Sequence, residues 1–322
     1  MPISLVEKDH NIKEFTRKQM SIFWLPDEPK VEKDIQDIRV NLTEAEKHGV
    51  IIVLKLFSLY EMSAGDDYWS GRFRLTCPEQ IEYVEMASVF SMVELAIHLQ
   101  FYKKLNELLY LDTDEFYTSY TKDPTLSERM DFIGKMVGHD NDLVSLGAFS
   151  MIEGAVLYSS FAFLKHFQSQ GKNKLLNIVR GINFSVRDEE LHSQAGAYEF
   201  RRRYALITDS DLKEEIRLTL WDVATTIISH EDRIIDMIFE KGEIDGINKV
   251  DMKLFVNSRV LICLSQLGLN NFIAPLETIV ANPIADWFYD GINGFQFNDI
   301  FSGLGASYSR DWAESEFTWE TK

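Results

Sequence analysis

The sequence predicts an all-α protein, a bundle of long helices built around one core. Three observations lead there. Of the 322 residues only seven are proline, and Pro2, Pro26, Pro29, Pro275 and Pro283 lie near the ends or in evident loops, so the middle of the chain is free to run in long helices. No repeat of short fixed period and no low-complexity linker divides the chain, which favours one mainly helical domain. Finally, several carboxylates and histidines stand one helical turn apart inside apolar stretches, on what would be buried helix faces.

Residues 1–40 read as an extended or irregular lead-in, most distinctive at Trp24-Leu25-Pro26. Thr43 and Glu46 have the spacing of a capping box and start the first helix, which continues through the apolar run Val50 to Met62. Gly65 and a loop to Pro78 are expected to end it. A second helix runs from Glu79 to about Leu109, because nothing in the sequence breaks it. Further helices are expected over 125–137, 141–170, 172–204, 209–240 and 249–267. From Asn282 onward the chain carries Gly, Asn, Ser and aromatics and is read as mostly irregular after a turn at 285–289. The resulting division is a lead-in (1–40), a helical domain (41–290) and a tail (291–322).

A formal net charge of −18 argues against a broad nucleic-acid or anionic-membrane surface, since both need clustered Lys and Arg. Cys77 and Cys263 make neither a zinc-finger spacing nor a disulfide framework. The first residues lack a basic-then-apolar signal pattern, and no apolar run reads as long enough to span a bilayer. A reduced, cytoplasmic protein is therefore expected.

The chemistry is concentrated in four places. Glu189 and His192 are three apart in Ser185-Val186-Arg187-Asp188-Glu189-Glu190-Leu191-His192 and project from one helix face. Glu94 and His98 are four apart in the nearly apolar run Phe90 to His98. Glu153 interrupts an apolar stretch from Leu146 to Tyr158, and Glu61 another from Leu54 to Met62. A single pair of this kind is common on solvated helices, and a lone carboxylate is more often exposed than coordinating. Together, however, they give one carboxylate from each of two helices and a Glu–His pair from each of two others. That is the ligand inventory of a ferritin-like dimetal site, in which four carboxylates offset the charge of two divalent ions.

From Phe23-Trp24-Leu25-Pro26 to Tyr308-Ser309 the chain resembles the small, radical-generating subunit of class I ribonucleotide reductase. The best segments are Asn41–Lys47, Phe90–Tyr102, the surroundings of Glu153-Gly154, Ser185–His192 and Asn282-Pro283-Ile284. The resemblance implies a ferritin-like homodimer whose metal ligands are Glu61, Glu94, His98, Glu153, Glu189 and His192. It implies two iron ions per chain, with a dimanganese or mixed manganese–iron pair as alternatives. Tyr102 matches the radical-bearing tyrosine, with Leu157 and Phe161 as its apolar shield. Trp24 and Asp188 match a relay running Trp24–Asp188–His98, and Tyr308 matches a tail tyrosine passing the radical to a large catalytic subunit. The end of the tail would dock on that subunit, and a reductant or flavoprotein activator is a further expected partner.

Two departures from the family bear on the site. Asp is commoner than Glu at the position of Glu61, so Asp66 and Asp67 remain alternatives for that ligand. The Glu94–His98 spacing is one residue longer than usual, which either a π-bulge or the reach of the Glu94 side chain would accommodate. Other functions also fit the ligand inventory: a stand-alone dimetal oxidase, which needs neither Trp24 nor Tyr308, or an iron-storing or metal-free helical scaffold.

Overall fold

In a computed structural model the chain is described over residues 3–269, 282–289 and 292, and these are helical with no strand; Ser4–Gln80 and Ile244–Ile247 form isolated bridges only. In chain order the α-helices are α1 (His10–Ser21), α2 (Glu44–Met62), α3 (Arg74–Thr76), α4 (Ile81–Val93), α5 (Leu99–Leu108), α6 (Asp114–Thr118), α7 (Pro124–Val137), α8 (Asp142–Ala155), α9 (Tyr158–Lys165), α10 (Leu176–Ala205), α11 (Ser210–Ile238), α12 (Lys249–Gln266) and α13 (Pro283–Phe288). The long helices α2, α4–α5, α8 and α10 surround the centre, with α11 and α12 packed against α8 and α1 laid along α4.

The starts of these helices follow from their caps. Thr43 accepts a hydrogen bond from the Glu46 amide while Glu46 accepts one from the Thr43 amide, the reciprocal pair expected from the sequence. Asn141 caps α8 through the amides of Leu143 and Val144. The α10 start has no cap of its own; Asp34 of the lead-in supplies one, its Oδ2 accepting from the amides of Asn177 and Ile178. Thr43→Ala is expected to lower stability by about 1 kcal/mol, read as a shift of the urea-unfolding midpoint.

Four expectations change. The lead-in is not irregular: it contains α1, capped by Asp9, and π-helical turns over Asp37–Asn41. Its buried face is Ile12, Phe15, Thr16 and Gln19, half of it polar, so hydrophobic periodicity does not reveal it. The chain after α2 does not loop out at Gly65 but continues as a π-helix over Ser63–Phe73. Gly65 serves close approach: a Cβ there would lie 2.6 Å from Leu95 Cγ and 2.9 Å from Glu94 Cβ. The helix expected over 141–170 is broken at Val156–Leu157, and buried arginines take up carbonyls around the break. Arg259 donates to Gly154 O and Arg129 to Val156 O, each arginine also pairing with a buried glutamate, Glu190 and Glu231 respectively. Lastly, Ile81–Leu108 and Asp142–Gly171 are in fact long and apolar enough to cross a membrane, with mean hydropathies of 1.2 and 1.3. All of the second window is buried inside the protein, so its apolarity serves the core.

The tail, 291–322, lies outside the described residues apart from Ile292, and Tyr308 with it. Both cysteines are free and buried.

Buried His166 gives the fold an acid sensitivity. Burial lowers its imidazole to about 4, against a hydrogen bond to Phe163 O that favours protonation. The unfolded chain protonates near the ordinary value of 6.5. This histidine's contribution is therefore complete above that value and shrinks as pH falls toward the folded value. Between about pH 7 and pH 5 the loss is about 2 kcal/mol. Urea unfolding at both pH values is expected to show a loss smaller by about this amount in His166→Asn than in the wild type.

Candidate metal centre

Each of the six carboxylate and imidazole side chains singled out in the sequence arrives at one buried point, and each is at most 1% exposed. Glu61 comes from the last turn of α2, Glu153 from the last turn of α8, and Glu189 with His192 from consecutive turns of α10. Glu94 and His98 bound a π-helical turn between α4 and α5, in which the Leu99 amide donates to Glu94 O five residues back. This wide turn settles the four-residue spacing: the extra residue is absorbed by the backbone. It leaves Glu94 Oε2 2.9 Å from His98 Nδ1. Asp66 and Asp67 are both exposed, and Asp67 accepts from Ser63, so the geometry gathers Glu61 and not its alternatives.

The six form two overlapping groups whose ligating atoms lie within 4.8 Å of one another: Glu61, Glu94, His98 and Glu189, then Glu94, Glu153, Glu189 and His192. Around His98 Nδ1, Glu189 Oε1 stands at 3.4 Å and Glu61 Oε2 at 3.5 Å. His192 Nδ1 stands 2.5 Å from Glu94 Oε1 and 3.8 Å from Glu153 Oε2. Glu94 and Glu189 belong to both groups.

Whether this cluster suits metal ions is decided by its unused atoms. Both carboxylate oxygens of Glu61, both of Glu189, Glu94 Oε1 and His192 Nδ1 are buried without a hydrogen-bond partner. The short approach of Glu94 Oε1 to His192 Nδ1 lacks hydrogen-bond alignment. Unpaired buried carboxylates cost several kcal/mol each, and a fold keeps them only when something cationic satisfies them. Two divalent ions would balance the four carboxylates, and the oxygen and imidazole donors suit iron or manganese. The residues present therefore fit a dimetal pair.

The electrostatics point the same way. Burial, then Glu94, pushes Glu61 well above the usual carboxylate range, and burial with Glu94 and Glu153 does the same to Glu189. Burial opposes charge on Glu94 too, yet His98 and His192 hold it well below that range. Burial would lower both imidazoles, but Glu94 and the other carboxylates raise His98 well above its ordinary value and carry His192 to about 9. The cluster draws positive charge to its centre.

The outer nitrogens of the two histidines are held by one chain of hydrogen bonds. His98 Nε2 meets Asp188 Oδ2 at 3.0 Å, Trp24 Nε1 donates to the same oxygen at 2.8 Å, and Gln19 Nε2 donates to Asp188 Oδ1 at 2.8 Å. Gln19 Oε1 then meets His192 Nε2 at 3.2 Å. Both imidazoles are thereby turned with Nδ1 toward the cluster, as an oriented metal ligand requires. The Trp24 indole is itself enclosed by Phe101 and Phe184.

Tyr102 is fully buried and donates to Ser185 Oγ at 3.1 Å. Its ring stacks on Phe57 at 4.3 Å, and Phe57 stacks in turn on Phe161. Leu157 and Phe161 are buried as expected, but the ring stacked on the phenol is Phe57, which no motif points to. Gln19, Tyr60 and Trp69 are equally absent from the sequence reading. The last two donate to Glu153, Tyr60 OH to Oε2 at 3.0 Å and Trp69 Nε1 to Oε1 at 2.8 Å. For Tyr60 a polar tip on an aromatic in an apolar run was a sign; Gln19 and Trp69 lie in polar segments and offered none.

Residues 4–275 match the family described as ribonucleotide reductase, small chain. The chain is 26% identical over 321 residues to the probable ribonucleoside-diphosphate reductase small subunit of Invertebrate iridescent virus 3, covering 92% of this chain and 81% of that one. It is 24% identical over 293 residues to the ribonucleoside-diphosphate reductase subunit beta of Mycobacterium leprae, covering 89% and 85%. Among solved structures, the dimanganese(II) NrdF of Streptococcus sanguinis superposes with a TM-score of 0.76 at 21% identity, covering 89% of this chain and 97% of that one, a likeness of fold.

Proposed function

This chain belongs to the ribonucleotide reductase small-chain family, and on that premise we propose that it generates and stores a radical oxidant for a separate large subunit. It is a ribonucleoside-diphosphate reductase small subunit with a buried carboxylate–histidine cluster. In our reading Glu61, Glu94, His98 and Glu189 hold one metal ion, and Glu94, Glu153, Glu189 and His192 hold the other. The single observation that carries this is the set of buried carboxylate oxygens without partners, on Glu61, Glu94 and Glu189, brought to one point from α2, the turn between α4 and α5, and α10.

A bound pair of iron or manganese ions, held by these six side chains, would supply one-electron oxidising power drawn from oxygen or a derivative of it. Iron is our first assignment; the donor set accepts manganese as readily, and metal supply decides between them. The chain's own residues orient and protect. Asp188 fixes His98 through its outer nitrogen and, with Trp24, forms a continuous hydrogen-bonded route away from the cluster. Phe57, Leu157 and Phe161 keep water from Tyr102, which holds the oxidising equivalent. Two chains pair as a homodimer, and the tail with Tyr308 docks on the large subunit and relays the radical; a reductant or flavoprotein activator renews the centre.

Diffraction at the iron and manganese absorption edges on metal-replete crystals tests the assignment, with nucleotide reduction assayed in the presence of the large subunit. Two ions among the six side chains are expected. Absence of an ion pair there sinks the reading in favour of a metal-free scaffold.

A further inference from the structure

One buried guanidinium joins the residues that follow two of the cluster's carboxylates. Arg259, on α12, is 3% exposed. Its Nε and Nη2 both donate to Gly154 O, at 3.3 and 3.1 Å, directly after Glu153 in the chain. Nη2 also donates to Glu190 Oε2 at 2.6 Å, directly after Glu189, and Nη1 donates to the Tyr289 hydroxyl at 3.1 Å. The Tyr158 ring lies against the guanidinium at 4.2 Å, and its hydroxyl donates to the same Glu190 oxygen at 3.3 Å.

The need for such a group lies in where α8 stops. The last carbonyls of a helix have no partner within it, and Gly154 belongs to that final turn. One turn earlier α8 and α10 are tied directly, Ser150 Oγ donating to Ser193 O and Ser193 Oγ to Ser150 O. At Gly154 the approach is closer still: a Cβ there would lie 2.5 Å from both Ser193 Oγ and Cys263 Sγ. Arg259 takes over at this point. A flat guanidinium with a fixed fork holds a carbonyl and a carboxylate at once, in a geometry that an ammonium does not reproduce.

The clamp bears unequally on the two ion groups. Glu153 and His192 belong only to one of them, Glu61 and His98 only to the other. Among the described residues the hydrogen bonds of Arg259 go to Gly154, Glu190 and Tyr289, and none goes to α2 or to the Glu94–His98 turn.

We propose that Arg259 is a positioning residue for one metal position. By fixing Gly154 against Glu190 it sets the separation of Glu153 and Glu189, and so builds the place that these two share with Glu94 and His192. The inference rests on the metal-centre reading above.

The test is manganese(II) binding to the full-length protein. It is followed by metal content, by diffraction at the manganese edge, and by electron paramagnetic resonance, which tells a coupled ion pair from an isolated ion. Arg259→Lys keeps a charge beside Glu190 and loses the fork. It is expected to weaken the ion beside His192 roughly 10–100-fold and to leave the ion beside His98 unchanged. At manganese that just saturates the wild type, the coupled-pair spectrum then gives way to that of an isolated ion. Arg259→Met combined with Glu190→Gln leaves no charge buried alone, which protects the fold, and the same one-sided loss is expected. Two ions at wild-type affinity in either variant overturn the proposal. So does equal weakening of both ions, the result that a purely structural role predicts. A wild type without an ion pair overturns the metal-centre reading and the proposal together.

Discussion

Glu94→Ala is expected to empty the metal centre and to take nucleotide reduction to background. Glu94 is one of two carboxylates common to both candidate ion groups, with one oxygen facing His98 and the other facing His192. Removing Glu61 or Glu153 takes a ligand from one group; removing Glu94 takes one from each and strips both imidazoles of their nearest negative partner. The ions contribute several kcal/mol to chemistry at such sites, so no partial activity is expected. The metal-free variant is also expected to be less stable than the metal-free wild type, by about 3 kcal/mol, because Glu94 is the carboxylate that both imidazoles hold ionised and its removal leaves them buried without it. Metal analysis together with thermal unfolding of both metal-free proteins reads the two effects separately. Retention of two ions by Glu94→Ala would mean that the π-helical turn does not serve the metals.

Trp24→Phe is expected to separate metal chemistry from reduction of nucleotide. The substitution deletes one hydrogen bond to Asp188, which keeps those from Gln19 and His98, so His98 stays oriented. Loss of part of a buried ring costs about 1–2 kcal/mol, which a large core tolerates. The variant should therefore fold, bind two ions and form its radical as the wild type does. Reduction of nucleotide with the large subunit is expected to fall on the order of 100-fold or more. Unchanged reduction would remove Trp24 from the route.

The site was legible in the sequence to the extent that it violates apolar patterning. Glu61, Glu94 and Glu153 each interrupt a run that only a core accommodates, whereas Glu189 and His192 lie in a mostly polar segment and were marked by their three-residue spacing. What escaped was supplied by residues that violate nothing. Gln19 sits in a lead-in whose helix has a half-polar buried face, so neither helix nor residue stood out. Glu190 and Arg259 look like ordinary charges on solvated helix faces, yet they pair at 2.6 Å in the interior across 69 positions of chain. Long-range pairing of that kind leaves no local trace. Gly65 was misread for the opposite reason: glycine ordinarily marks a break, whereas here its missing side chain admits the Glu94–Leu95 turn.

The wide turn at Glu94–His98 also says something about how this chain can be compared with its relatives. One residue inserted into a regular helix rotates everything beyond it by about 100°, enough to swing Tyr102 and the rest of α5 away from their neighbours. A local bulge confines the insertion to a single turn and returns the helix to its former register. A one-codon gain or loss beside a ligand is thus tolerated here, and an alignment forced through without a gap would pair Leu95, rather than Glu94, with the glutamate of a three-residue motif.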